Sequence, residues 1–138
     1  MPTLQLKVSP LQTPERCQAL ASALTALTAQ LLGKRPEVTA VVIEDLPAVR
    51  WYVGGRSVPG PAALLEISIT QGTNTAAEKA AFIAAAFAEL QRQLGHGAGS
   101  FENASYVVVR ETPAADWGYC GQTQAARKLA SLSPAAAL

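Results

Sequence analysis

Glu44-Asp45-Leu46-Pro47-Ala48-Val49-Arg50-Trp51-Tyr52-Val53-Gly54-Gly55 lies without a gap over Arg110-Glu111-Thr112-Pro113-Ala114-Ala115-Asp116-Trp117-Gly118-Tyr119-Cys120-Gly121. Pro, Ala, Trp and the final Gly coincide, and Asp45 faces Glu111. A Pro-x-x-x-Trp-x-x-x-Gly frame shared at one offset marks a tandem duplication. What precedes each copy is repeated as well. Pro2–Ser9 alternates apolar and polar residues as a half-buried strand does. Thr13, Pro14 and Glu15 open a helix, Leu20, Leu24, Leu27, Leu31 and Leu32 form its apolar stripe, and Gly33 closes it. The β-branched run Val38–Ile43 reads as a second strand. In the second half Ala63–Ile69 is the strand and Thr75-Ala76-Ala77-Glu78 a capping box. That box heads a helix with Phe82, Phe87, Leu90 and Leu94 inward, Gly95 ends it, and Ser105–Val109 is the closing strand.

Two β-α-β units define the fold class. A helix between two strands makes a right-handed crossover, so the strands of each unit run parallel. Side by side the units give an α/β (α+β) domain, a four-stranded mixed sheet with both helices on one face. The bare face is expected to be buried against copies of the chain in a closed homo-oligomer. The single domain divides into unit one, 2–55, a linker, 56–62, unit two, 63–121, and a C-terminal tail, 122–138. Ala-rich composition favours helix in Ser131–Leu138, and Pro134 interrupts it.

Composition narrows the function. The 138 residues carry 11 Lys plus Arg against 10 Asp plus Glu, a net charge of +1, so no clustered basic face for nucleic acid is expected. No apolar run reaches the roughly 18–20 residues of a membrane span, and no secretory signal opens the chain, so a cytoplasmic site is expected. Cys17 and Cys120 have no CxxC spacing and read as free thiols. The single histidine, His96, argues against a histidine metal site or a Ser-His-Asp triad. Gly95-His96-Gly97-Ala98-Gly99 follows a helix instead of leading into one, and is therefore no phosphate loop. Cys120 lacks a histidine to activate it.

Proline stands second, directly after Met1, at the head of the first strand. Methionine is generally removed before so small a residue, which would leave Pro2 with a free secondary amine able to take up and release a proton. Together with the duplicated β-α-β units and the Trp-Tyr-Val-Gly-Gly hairpin, this resembles the tautomerase superfamily over about residues 2–121. Its long, fused members are related to 4-oxalocrotonate tautomerase and cis-3-chloroacrylate dehalogenase, and their fold is shared with MIF. The resemblance implies a homotrimer and a cofactor- and metal-free enzyme with one site per chain. Pro2 would be the general acid/base in enol–keto transfer on a small carboxylate substrate, a 2-oxo or 2-hydroxy-enoate acid.

Carried over by position, the family apparatus is incomplete. The first-loop arginine falls on Gln12 and about Thr73, and the second-strand arginine on Ala40 and Tyr106. The aromatic is kept twice, as Trp51 and Trp117. The dehalogenase branch's paired arginine falls on Gln71 and Asn74, and its histidine on Thr28. Its carboxylate and tyrosine fall on Tyr119 and Val108, so dehalogenation is disfavoured. The resemblance implies that Asn74, Tyr106 and Trp117 of the second unit lie nearest Pro2. Arg110, Arg50 and Lys7 are the candidates for the missing cation, with Arg110 set among the substrate-binding residues. Arg127-Lys128 reads as solvated surface. The rival reading is a non-catalytic trimeric binding or interaction protein that keeps the fold.

Overall fold

The computed structural model describes residues 1–95 and 100–132; the stretch from His96 to Gly99 and the end of the Ala-rich tail, 133–138, lie outside the described residues. The elements in chain order are β1 (Thr3–Ser9), α1 (Pro14–Leu32), β2 (Ala40–Asp45), β3 (Tyr52–Val53), β4 (Arg56–Ser57), β5 (Ala62–Thr70), α2 (Ala76–Leu94), β6 (Tyr106–Thr112), β7 (Gly118–Tyr119), β8 (Gln122–Thr123) and α3 (Gln124–Leu132). The main sheet has the order β2-β1-β5-β6. β1 is parallel to β2, β5 is parallel to β6, and the two units join through the antiparallel pair β1/β5.

Local chemistry sets each helix. The Thr13 side chain accepts the Arg16 N–H, Pro14 occupies the first turn, and Gly33 ends α1 in the left-handed region at φ 69°. Thr75 and Glu78 form a reciprocal capping box on α2. Both helices cover one face. Leu20, Leu24 and Leu32 of α1 and Phe82, Ala86 and Leu90 of α2 pack on Leu4, Leu6, Val8, Leu65, Ile67 and Ile69. Phe87 meets Phe101 edge-on with centroids 5.3 Å apart.

The structure corrects two expectations. β2 starts at Ala40 instead of Val38, because Pro36–Val38 forms one turn of 3-10 helix closed by the Thr39 N–H on the Pro36 carbonyl. The repeat runs past residue 121: β3/β4 and β7/β8 are equivalent hairpins, so Gln122–Thr123 belong to the second copy and α3 follows at once. The sheet's open face, expected to be buried against other copies, carries a row of charges. Lys7 stands opposite Glu44 and diagonal to Glu66, and Glu66 is diagonal to Arg110. Charges thus alternate across all four strands, among exposed Val42 and Tyr106.

Candidate active site

The amino-terminal end of β1 is where the segments converge. Thr3 pairs with Ser68 and with Ala40, and continuing the antiparallel ladder by one residue sets Pro2 opposite Ile69. Pro2 is fully buried, and its carbonyl accepts the Ala40 N–H at 3.2 Å. Its neighbourhood is the end of β5 and the loop that follows it. There Trp117 Nε1–H donates to Thr70 Oγ1 at 3.2 Å, which holds the indole of the second hairpin at this end of the sheet.

Asn74 lies in the same loop. Its Nδ2 donates to the Leu32 carbonyl at 3.0 Å and to Glu78 Oε1 at 3.4 Å, tying the end of α1 to the start of α2. Lys34, directly after the Gly33 cap, spans the same gap and donates from Nζ to Thr73 Oγ1 at 2.9 Å. Behind it Thr73 Oγ1 donates to the Thr70 carbonyl at 2.6 Å.

The electrostatics of this end are cationic. The amino group of Met1 is held below its ordinary value, first by burial and then by the positive fields of Lys34, Arg127 and Arg35. Burial also lowers Lys34, against the opposing pull of Glu78. Arg127 comes from α3 and stacks 4.6 Å from the Tyr119 ring centroid. The start of α3 is fixed to the hairpin by Gln124 N–H to the Trp117 carbonyl and Ala125 N–H to the Ala114 carbonyl, both 2.9 Å.

Of the sequence-selected residues, Pro2, Asn74 and Trp117 share this end of the protomer. Tyr106 does not. It pairs with Leu64 near the start of β5, five residues from Ile69 and so ~16 Å away along the strand. There it joins Trp51, Tyr52, Val53, Leu64 and Ala104 around an open depression of ≈350 Å³. Arg110 lies on the open face, forked onto Glu66 at 3.0 and 3.2 Å, and that bond lowers the carboxyl and raises the guanidinium. Arg50 is exposed in the turn after β2, at the sheet's other end, and Lys7 stands opposite Glu44 towards that same end.

Sequence reasoning missed Lys34 and Arg127. A signal for Lys34 existed: a parallel crossover returns the chain to the end where it began, so the loop entering β2 must pass the start of β1. Arg127 had none, since no repeat partner marks α3. Among the described residues no group of three His, Cys, Asp or Glu could hold a metal ion, and no helix is long and apolar enough to cross a membrane.

Comparison with known proteins fits this geometry. Residues 2–59 match the family model described as tautomerase enzyme. The F6 fused 4-OT wild-type asymmetric trimer (4-OT, 4-oxalocrotonate tautomerase) is 27% identical at TM-score 0.76, over 91% of this chain and 98% of that one. Pt0534 inactivated by 2-oxo-3-pentynoate (17% identity, TM-score 0.76, 91% and 98% covered) shares the fold. So does macrophage migration inhibitory factor of Toxoplasma gondii (21%, TM-score 0.72, 88% and 98% covered). No curated protein matches the chain in sequence. A first unit that fits the family model, a second that repeats it, and a whole that superposes on fused two-unit relatives together support a fused member of the tautomerase superfamily.

Proposed function

We propose that this protein is a cofactor-independent tautomerase in which Pro2, freed by removal of Met1, is the general acid/base. With Met1 in place the nitrogen of Pro2 is an amide and carries no proton chemistry. Once freed, it is a secondary amine at a buried, cation-rich position. An ordinary α-amino group titrates at about 7.7–8.0. Burial and neighbouring cations disfavour its protonated form, leaving a neutral base near pH 7. The amine takes the hydroxyl proton of a 2-hydroxy-enoate, the carbon–carbon double-bond electrons shift, and the same proton is returned to carbon as the carbonyl forms. Trp117 covers the site and excludes water, and Asn74 anchors the loop beside it.

The observation that carries this reading is the full burial of Pro2 at the head of β1, at the end of the sheet where Trp117 is held on Thr70. A homotrimer is proposed by analogy with the fused 4-OT trimer, and a cytoplasmic site from the sequence reading alone. The alternating charges of the open face would then meet their complements between protomers. In such an assembly Tyr106 of one protomer is free to approach the Pro2 site of another, which keeps it a candidate substrate contact. Arg110 remains a second candidate, provided Glu66 releases it. The two-unit reading is kept with each hairpin taken whole, so that β4 closes the first unit and β8 the second, the second unit supplying wall and not base.

The test is ketonisation of phenylpyruvate enol by purified protein whose intact mass shows Met1 absent, beside a Pro2→Ala variant. Turnover that collapses in the variant is the expected result. No rate above background from Met-free protein would favour the non-catalytic binding protein, a reading consistent with Gln12, Thr73, Ala40 and Tyr106 standing where the family has arginines.

A further inference from the structure

We infer that α3 is a docking helix, whose Leu129 and Leu132 seat in the groove between α1 and β2 of a second copy of the chain. Within the protomer both surfaces stand open. Leu129 is 72% and Leu132 71% exposed, although both lie on the apolar side of an amphipathic helix. The opposite side of α3 is the anchored one. Gln124 N–H and Ala125 N–H bind it to the hairpin, and Arg127 turns in over the Tyr119 ring. Leu129, two residues further on, is about 200° around the helix from Arg127 and so faces away from that anchor. Nothing in the first unit corresponds to α3, since β4 runs through a short link into β5.

The groove, of ≈540 Å³, runs along the outer side of α1 past Ala21, Thr25 and Ala29, and is bounded by Thr39 and Val41. The duplication tells what such a flank takes. Aligning the caps Thr13 and Thr75 matches Ala21 with Ile83 and Thr25 with Phe87, and the strand registers match Val41 with Val107. In the second unit Phe87 is met edge-on by Phe101, a buried ring from the connection between α2 and β6. The first unit has alanine and threonine at those helix positions, and its connection 33–39 holds no aromatic residue. It is hollow where its repeat is filled by bulky apolar side chains.

The occupant is a second copy because of where the two surfaces lie. β2 and β6 are the opposite edges of the sheet; the groove flanks β2, and α3 follows the hairpin after β6. Both stand at the Pro2 end, since Ala40 pairs with Thr3 while the Trp117 that anchors Gln124 is itself bonded to Thr70. A knob and a hole on different edges of one chain make a heterologous contact, the kind that closes a ring such as the homotrimer proposed above. The area agrees. A helix of 9 residues is about 14 Å long, too short to supply by itself the roughly 1,000 Å² of a stable interface. α3 therefore extends a larger contact between the same copies.

The experiment is sedimentation equilibrium over a dilution series of the full chain. It compares wild type with Leu129→Gln, Leu132→Gln, the groove-blocking Ala26→Arg, and Ser131→Gln on the polar side of α3. Ala26 is exposed and arginine is a good helix former, so Ala26→Arg keeps the fold. The two leucine variants and Ala26→Arg should each weaken association about tenfold or more per contact, while Ser131→Gln stays at wild type. Unchanged association in the leucine variants or in Ala26→Arg overturns the inference, as does a monomeric wild type. A second measurement keeps the result independent of variant stability. With Cys17 and Cys120 replaced by serine, Ala26→Cys and Leu132→Cys are joined by a short bis-maleimide. Chains linked to one another up to the trimer are expected. A link closed within single chains would seat α3 in its own groove, and an assembly that forms no link would give α3 another occupant; either overturns the inference.

Discussion

Exchanging one residue between the two hairpins offers a direct test of the duplication. The β3/β4 hairpin turns through Gly54 and Gly55 at φ 60° and 79°, and β7/β8 turns through Cys120 and Gly121 at φ 52° and 80°. Both are two-residue turns with positive φ at each central residue, the geometry that matches strand twist. Cys120 is the one non-glycine among the described residues in that region. A side chain there costs about 1–2 kcal/mol, offset by about 0.5–1 kcal/mol of extra chain entropy that glycine loses on folding. Cys120→Gly should therefore stabilise by about 0.5–1 kcal/mol, near 2–4 °C in Tm. Gly54→Cys should destabilise by a similar amount. A Cβ at Gly54 meets nothing within 4 Å, so the backbone alone carries the effect. The hairpins lie at opposite ends of the sheet, so the double variant should return to wild-type stability. Urea unfolding at fixed protein concentration, under reducing conditions, reads all three. Destabilisation by Cys120→Gly, or a double variant far from additive, would refute the equivalence of the turns.

Three further outcomes follow from named contacts. Phe82 is fully buried between helix and sheet, and Phe82→Ala should cost about 3–5 kcal/mol by denaturant unfolding. Thr70→Val removes the acceptor of the half-buried Trp117 N–H; it should cost about 1 kcal/mol and release one of the two indole N–H signals to faster exchange in NMR. The pH profile has a defined sign. A lowered amine stays neutral at lower pH, so kcat/KM should rise with pH through a midpoint below the ordinary α-amino range of about 7.7–8.0. Lys34 and Arg127 repel the positive charge of the Met1 amino group; for a Pro2 amine one residue on, Lys34→Gln or Arg127→Gln should move that limb to higher pH.

Much of the fold was legible because the repeated Pro-Trp-Gly frame, the leucine stripe and the Thr75 capping box all point to one topology. The start of β2 was not, because a local turn at Pro36 overrides the strand preference of Val38. The open face was read from the sheet's general apolar content. Its alternating Glu44, Lys7, Glu66 and Arg110 become a row only when the order β2-β1-β5-β6 is known. The site divides in the same way. Trp117 joins Pro2 because its hairpin follows the end of β6, whereas Tyr106 opens that strand. Since β6 is parallel to β5 and β5 antiparallel to β1, the opening of β6 falls at the end of the sheet away from Pro2. Lys34 could have been found from the crossover rule; Arg127 depends on the path of α3.

The central claim is a free, neutral amine at Pro2 within a site that admits a 2-oxo acid. Incubation with 2-oxo-3-pentynoate at neutral pH, followed by intact mass and peptide mapping, tests it most directly. The amine nitrogen would bond to an alkyne carbon and the resulting carbanion would take a proton, adding the whole reagent mass. One adduct per chain on Pro2, with Lys34 unmodified, is the predicted result. A protein that keeps Met1, or a Met-free protein that gains no adduct or gains it elsewhere, would contradict the account.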